Sequence, residues 1–164
     1  MVDVLTEAQR QLNMSRIRGR DTKPEMLIRR GLHAQGFRYR LQDRGLPGRP
    51  DLVFPRYKTV ILVHGCFWHG HDCPMFRLPV TRSEFWAEKI AANRRRDAIV
   101  HEALLALGWR VLTIWECSLR GKGRLPFPSV LDECVSFIQG DQAEQVVAGE
   151  RASVPSACCN VGSQ

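Results

Sequence analysis

The chain has 164 residues, which suits a single domain, or a domain with a tail, that buries a hydrophobic core. Its 24 lysines and arginines, mostly arginines, exceed its 17 acidic residues and give a formal charge of +7. No apolar run approaches the roughly 20 residues of a membrane span, and the acidic N-terminus is unlike a secretory signal. We therefore expect a cytoplasmic protein and not a membrane protein, with an anionic polymer as the leading partner class. The charge alone also fits an ordinary basic surface.

The N-terminal part predicts an arm followed by a helix. Residues 1–20 are polar and arginine-rich over most of their length, which favours an arm or a short helix. The next helix has a cap, an early proline and an acid in its first turn, at Thr22, Pro24 and Glu25. Gly36 is the residue type that ends helices.

The rest of the pattern alternates strands and helices. Strands are predicted at 37–41, 51–54, 59–63 and 109–115, and helices from about 81 to 107 and at 127–139. A helix between the last two strands indicates a crossover, so we expect an α/β fold with a mixed central sheet flanked by helices. Residues 21–140 would form this core, and residues 141–164, which have no clean periodicity, a loosely ordered tail.

The loop 64–81 has no helical or strand period and is unusually rich in cysteine and histidine. Tetrahedral zinc sites use these ligands, and a long irregular loop needs something to order it. The candidate ligands are Cys66, His71, Cys73 and, just past a strand end, Cys117. The alternative is three free thiols and an unrelated histidine.

A second set of polar residues suits a catalytic magnesium site. Asp51 precedes a strand and Glu25 lies on the preceding helix, and Mg²⁺ binds few carboxylates together with waters and substrate phosphates. Asp51 is equally well explained as a turn residue. His64 or His69 can accept a proton from attacking water, or can support the zinc loop instead.

The loop and the long helix also carry candidate DNA contacts. Phe67 and Trp68 are consecutive in a polar loop and cannot easily both point inward, which favours a stacking or wedging surface. Trp86 suits a core position in the helix, as do Trp109 and Trp115 in the last strand. The run 94–96 of three arginines is either a solvated helix face or a set of phosphate contacts.

Together these motifs resemble those of the Vsr-type very-short-patch-repair mismatch endonucleases of bacteria, in collinear order over about residues 6–121. The matching segments are Asn13-Met14, Arg20-Asp21-Thr22, Leu46-Pro47-Gly48-Arg49-Pro50-Asp51, His64-Gly65-Cys66-Phe67-Trp68-His69, Thr81-Arg82-Ser83-Glu84-Phe85-Trp86, Gly108-Trp109-Arg110-Val111 and Trp115-Glu116-Cys117. So many ordered motifs make chance agreement very unlikely.

The resemblance implies a restriction-endonuclease-like core with one structural zinc and Mg²⁺-dependent nicking of one DNA strand. The cut would lie 5′ to the thymine of a T·G mismatch, which arises when 5-methylcytosine deaminates. By similarity Asp51 binds Mg²⁺, His69 is the general base and Glu25 organises the water at the metal. The zinc ligands would be Cys66, His71, Cys73 and Cys117.

The resemblance also implies how DNA is held. Phe67, Trp68 and Trp86 would wedge into the base stack, and Met14 would approach from the other groove. Arg94 and Arg95 are the candidate phosphate contacts. His64, Asp97 and the backbone of Val63 fall at supporting positions of the family's site.

Two departures bear on the metal chemistry. Val63 stands where the family often has threonine, which is harmless if the position acts through its backbone carbonyl and weakens metal binding if the hydroxyl matters. The acid-x-Lys pattern common in nucleases is also absent from the strand, and a histidine base would replace the lysine.

Two other functions remain possible for this sequence. One is a zinc-stabilised module that binds DNA lesions without cutting, which the presence of Asp51, Glu25 and His69 disfavours. The other is a restriction-type enzyme that cuts both strands, which would need a symmetric dimer, and no interface stripe is visible. We therefore expect a nucleoid-associated monomer that acts on double-stranded DNA, with other mismatch-repair proteins as further partners.

Overall fold

The computed structural model describes Thr6, Gln9, Leu12 and residues 19–150. Most of the predicted N-terminal arm, including Met14, and residues 151–164 lie outside the described residues. Within the described residues no helix is both long enough and apolar enough to cross a membrane.

Three helices and four strands make up the described core. The helices are α1 (Lys23–Ala34), α2 (Ser83–Ala106) and α3 (Phe127–Gln139). The strands are β1 (Leu52–Phe54), β2 (Thr59–His64), β3 (Arg110–Trp115) and β4 (Glu144–Val147). From Lys23 to Gln139 the elements follow the predicted order, except that the strand predicted at 37–41 does not form.

The strands form one mixed sheet in the order β1-β2-β3-β4. Strand β1 is antiparallel to β2, whereas β2, β3 and β4 run parallel. Because β2 and β3 are parallel and paired from Thr59–Arg110 to His64–Trp115, their carboxyl ends lie side by side. The residues after these two ends belong to the cysteine- and histidine-rich loop and to a short 3-10 turn, Glu116–Ser118.

The sheet is buried on both faces, because alternate residues of each strand point to opposite sides. One face packs against α1 and α3 through the larger cluster, which includes Ile61, Val63, Leu112 and Ile114. The other face carries Val60, Leu62 and Val111, and these pack against Leu104 of α2. The α/β fold with a mixed sheet between helices is therefore confirmed.

Helix α1 begins with a reciprocal cap that involves a predicted site residue. The Glu25 N–H donates to Thr22 Oγ1 at 3.5 Å. In return the Glu25 carboxylate accepts from the Thr22 hydroxyl and from the Asp21 N–H, each at 2.9 Å. This arrangement satisfies the Glu25 N–H in the first turn and the Asp21 N–H before it, and it fixes the Glu25 side chain.

Two local predictions are wrong. Residues 37–41 do not form a strand, and only Arg40 makes an isolated bridge, to Val53. Two residues after this bridge Gln42 has a left-handed backbone, at φ 46°, and its N–H donates to the Pro50 carbonyl at 3.1 Å instead of to Asp51, so the ladder does not continue. Trp109 and Trp115 are half-buried and not core residues, because they lie at the two ends of β3.

The start of the predicted loose tail is ordered in the structure. Residues 144–147 form β4, which pairs in parallel with β3, so for this stretch the prediction is wrong. Its pairing partner β3 is distant in sequence, which explains why the local pattern did not show the strand. The segment then continues to the cysteine cluster, where the Gly149 N–H donates to Cys117 Sγ at 3.3 Å.

Candidate active site and metal cluster

An open cleft of about 950 Å³ lies at the carboxyl end of β2, between the start of α1 and the middle of α2. It brings together the predicted catalytic and supporting residues from distant parts of the sequence. The titratable groups lining it include Glu25, Asp51, His64, His69 and Asp97. The structure thus supports the grouping of these residues in one site.

Asp51 lies next to β1 and is held by the neighbouring strand. The Val63 N–H of β2 donates to Asp51 Oδ2 at 2.7 Å. The pKa of the Asp51 carboxyl is raised to about 6, mainly by burial and further by the charge of Glu25. The hydrogen bond from Val63 opposes part of this effect. The Val63 side chain packs in the core, so this position meets the site through its backbone.

Glu25 is 4% exposed and is tied to a buried arginine on the same helix. Arg29 Nη2 donates to Glu25 Oε2 at 3.0 Å, and its Nη1 contacts Asp21 Oδ1 at 2.5 Å. The guanidinium offsets the negative charge that Glu25 and Asp51 place together in the cleft. Arg29 was not identified from the sequence, although its i+4 spacing from Glu25 was a usable signal.

His69 forms a hydrogen-bonded pair with Asp97 of α2. His69 Nδ1 lies 2.5 Å from Asp97 Oδ2. Burial raises the pKa of Asp97, but the hydrogen bond and the charge of His69 outweigh burial and lower it overall. An ionised carboxylate only accepts, so Nδ1 carries the proton and Nε2 of the neutral ring is left with a lone pair for a proton.

His64 stacks on His69, with ring centroids 3.9 Å apart and an interplanar angle of 1°. Burial lowers the pKa of His64 to about 3, and the neighbouring His69 contributes to the same effect. His64 is therefore neutral at physiological pH. It fixes the plane of the His69 ring.

The predicted metal ligands also come together. One ligand atom from each of Cys66, His71, Cys73 and Cys117 lies within 4.8 Å of the others, so the four can hold a metal ion. His71 Nδ1 is 3.7 Å from Cys66 Sγ and 3.5 Å from Cys117 Sγ. Burial raises the pKa of the Cys66 and Cys117 thiols, and a bound cation would favour their thiolate forms.

The loop that carries these ligands closes tightly on α2. Gly70 has a φ of 59°, and a Cβ there would lie 2.6 Å from Cγ2 of Ile90. The Asn93 side-chain amide donates to the Trp68 carbonyl at 2.8 Å. At the loop's start, Glu116 Oε2 accepts from the Cys66 N–H at 3.3 Å. The loop is thereby held between the long helix and the end of β3.

The predicted wedge residues form one aromatic cluster. Phe67 lies 5.1 Å from Trp68 and 5.3 Å from Trp86, measured between ring centroids. All three rings are half-buried against one another, and Lys89 Nζ lies within 6 Å of both tryptophans. Trp68 lines the cleft, which places one edge of the cluster beside Asp51 and His69.

The arginine run of α2 faces solvent next to the same cleft. Arg94, Arg95 and Arg96 are all exposed. Arg96, the third member of the run, and Arg49, which belongs to the matching segment 46–51, line the cleft, although neither was predicted as an individual DNA contact. Arginine in a run of three gave no signal for which member faces the site, because that depends on the helix's packing.

Comparison with known proteins identifies the family of this chain. Residues 2–75 match the model of the family described as DNA mismatch endonuclease Vsr. The DNA mismatch endonuclease Vsr of Escherichia coli is 46% identical over 143 residues, which cover 87% of this chain and 92% of the relative.

Two type II nicking enzymes are also similar. One, from Xanthomonas oryzae pv. oryzae, is 46% identical over 76% of this chain and 92% of its own length. Another, from Neisseria meningitidis, is 43% identical over 74% of this chain and 87% of its own length. The identity extends well beyond the site itself, and the chain therefore belongs to the Vsr family of DNA mismatch endonucleases.

Proposed function

We propose that the chain nicks one strand of duplex DNA on the 5′ side of the thymine in a T·G mismatch and so initiates very short patch repair. The chain is a DNA endonuclease, as its family and its nicking relatives indicate. One observation carries the chemistry: the His69–Asp97 pair and the Asp51 carboxylate share one cleft that is lined by arginines.

His69 is the proposed general base. The Asp97 carboxylate accepts a hydrogen bond from Nδ1–H of His69, so Nε2 keeps a lone pair that can accept a proton. The parallel stack with His64 holds the His69 ring in place. Water attacking the scissile phosphate would transfer its proton to Nε2. Asp97 would then stabilise the resulting imidazolium by charge.

Asp51 is the proposed magnesium ligand, and the residues present suit this hard cation. Burial and the nearby Glu25 disfavour the Asp51 anion, so a divalent cation would relieve the repulsion between them. Magnesium, when bound, would supply positive charge to the scissile phosphate. Arg29 holds Glu25 in place next to Asp51, where Glu25 would add a second negative charge.

Zinc is the proposed occupant of the cysteine–histidine cluster. Tetrahedral zinc with ordinary bond lengths separates a sulfur ligand from a nitrogen ligand by about 3.6 Å. The two Sγ–Nδ1 distances of 3.7 and 3.5 Å around His71 fit this value. The proposed role is structural, because the four residues complete a coordination shell and leave no position for substrate.

The aromatic cluster is proposed to recognise the mismatch by deformability. A T·G wobble stacks and pairs less well than a normal pair. Unstacking the neighbouring base-pair step costs a few kcal/mol, and it costs less beside such a mismatch. Phe67, Trp68 and Trp86 offer a preassembled apolar edge at the cleft for such a step. Arg94 and Arg95 would neutralise phosphates nearby, and Met14 would act from the arm.

The whole arrangement suits a monomer with a restriction-endonuclease-like core. In a monomer this cleft would act on one scissile bond, which fits nicking and not double-strand cleavage. The core would comprise residues 21–140, with the arm of residues 1–20 as an added DNA contact.

The catalytic role of His69 is tested by a His69→Ala variant in single-turnover nicking of a T·G duplex with Mg²⁺. We expect the rate to fall by about 100-fold or more, the usual worth of a positioned base, with DNA affinity and zinc content unchanged. His33→Ala is the matched control, since His33 is exposed on α1. A wild-type rate, or loss of zinc, in His69→Ala would show that His69 is a scaffold residue.

A further inference from the structure

One indole ring contacts all three histidines of the site and of the metal cluster. The Trp115 ring stacks on His71, with centroids 4.1 Å apart and an interplanar angle of 11°. The same ring meets His64 edge-on at 5.2 Å and His69 at 6.3 Å. No other ring of the described residues has such a set of histidine contacts.

The topology explains this position. Trp115 is the last residue of β3 and pairs in register with His64, the last residue of β2. Two residues later the chain supplies the metal ligand Cys117. Trp115 therefore lies between the two centres, with one ring face toward the metal ligand His71 and one edge toward the stacked pair of His64 and His69.

We propose that Trp115 is a positioning residue for the nicking reaction, which ties the orientation of the His64–His69 pair to the metal cluster. This inference rests on the proposed function of His69 as the base. The stacked rings of His64 and His69 are parallel to within 1°, so a ring that fixes one of them fixes the other. Catalysis is sensitive to such placement, since a displacement of about 1 Å can cost about 100-fold in rate.

The aromatic face of Trp115 matters more than its volume. Leucine at this position keeps apolar contact with the sheet end but has no flat surface for His71 and no ring edge for His64. Phenylalanine keeps a flat ring of smaller size. The two substitutions thus separate the loss of an aromatic contact from the loss of apolar bulk.

The first test compares Trp115→Leu and Trp115→Phe in single-turnover nicking with saturating Mg²⁺ and saturating T·G duplex. We expect a 10- to 100-fold slower step for Trp115→Leu, a rate within about threefold of wild type for Trp115→Phe, and unchanged DNA affinity for both. Trp109→Leu is the matched control, because Trp109 adjoins the other end of β3 and packs over Lys58. Equal rates for Trp115→Leu and wild type would overturn the proposal.

A double-substitution cycle shows whether Trp115 acts through His69. If it does, Trp115→Leu should slow the wild-type enzyme but add no further loss to His69→Ala. A full additive loss would mean that Trp115 serves general stability, and the positioning role would be wrong. A wild-type rate in His69→Ala alone would instead refute the proposed base, which keeps the two failures distinct.

The geometry can also be tested without any assay of activity. An indole 4.1 Å from an imidazole shifts the ring C–H protons of that imidazole upfield in the NMR spectrum of the zinc-loaded protein. We expect His71 to show this shift, and expect it to decrease in Trp115→Phe. An unshifted His71 in the wild-type protein would overturn the proposal even if Trp115→Leu failed to fold.

Discussion

Replacing Asp51 with asparagine should stabilise the protein while it abolishes nicking. The side chain is held at a position where its charge is unfavourable, because burial and Glu25 raise its pKa from 3.8 to about 6. Asparagine has nearly the same shape and still accepts the Val63 N–H through its side-chain oxygen. It removes the charge and replaces the other carboxylate oxygen by an amide NH2 group.

The magnitude follows from linkage between protonation and folding. With a folded pKa raised above the unfolded value, the folded state holds its proton longer, so stability is lost as pH rises from 3.8 to about 6 and stays lost above it. A shift of about two units corresponds to roughly 3 kcal/mol, and the partial exposure of the carboxyl reduces this to about 1–3 kcal/mol. At pH 5 about half of the effect should remain.

The assay is urea unfolding of zinc-loaded wild type and Asp51→Asn in magnesium-free buffer at pH 8 and at pH 5. We expect the variant to have the higher free energy of unfolding by about 1–3 kcal/mol at pH 8, and a smaller advantage at pH 5. Mg²⁺ should stabilise the wild type at pH 8 and leave the variant unchanged. The variant should not nick at any Mg²⁺ concentration, since the cation loses its best-placed anionic ligand.

Asp97→Asn is the control, and its effect on the free energy of unfolding should have the opposite sign. The hydrogen bond from His69 lowers the pKa of Asp97, so its charge stabilises the fold above the unfolded pKa, and its removal should destabilise the protein at pH 8. The result that would refute this explanation is a variant Asp51→Asn that is less stable than wild type at pH 8, or one whose advantage does not shrink at pH 5. Either result would mean that the folded state does not disfavour the Asp51 carboxylate.

Three further outcomes are expected. Cys117→Ser should bind sub-stoichiometric zinc and unfold more easily, as metal analysis and thermal unfolding would show; a zinc-free wild type that is folded and fully active would contradict a structural metal. Trp68→Ala should weaken binding to a T·G duplex more than to a matched duplex, whereas equal losses would make the aromatic cluster a structural element. Arg95→Ala should flatten the dependence of log affinity on log salt by about one unit, and an unchanged slope would return Arg95 to an ordinary solvated surface.

The sequence predicted the parts of the fold that depend on local pattern. The near-continuous β-branched run of residues 59–63 predicted a buried strand, and the segment between Thr81 and Gly108 predicted a long helix; both elements are present. Strand β4 was missed because a four-residue strand is stabilised by parallel pairing with β3, which lies about 30 residues earlier and leaves no local signature. The strand predicted at 37–41 had the right alternation, but one left-handed residue ended its pairing.

The site was predicted residue by residue, but its connections were not. The residue types and order of Asp51, His69 and the cysteines, together with the family resemblance, were enough to predict them as site residues. The pairing of His69 with Asp97 joins a loop to a helix 28 residues later, and the position of Trp115 depends on strand register. Such contacts are set by tertiary packing, and a sequence pattern shows them only after the fold is known.

The most direct test of the account is strand-resolved nicking of three duplexes that differ in one base. Each carries T·G, C·G or T·A at the same position within randomised flanking bases, with both strands labelled and Mg²⁺ present in single-turnover conditions. The account predicts one cut, immediately 5′ to the thymine of the T·G duplex, with the opposite strand and both matched duplexes intact. Cleavage of both strands, or equal cleavage of the matched duplexes, would contradict it.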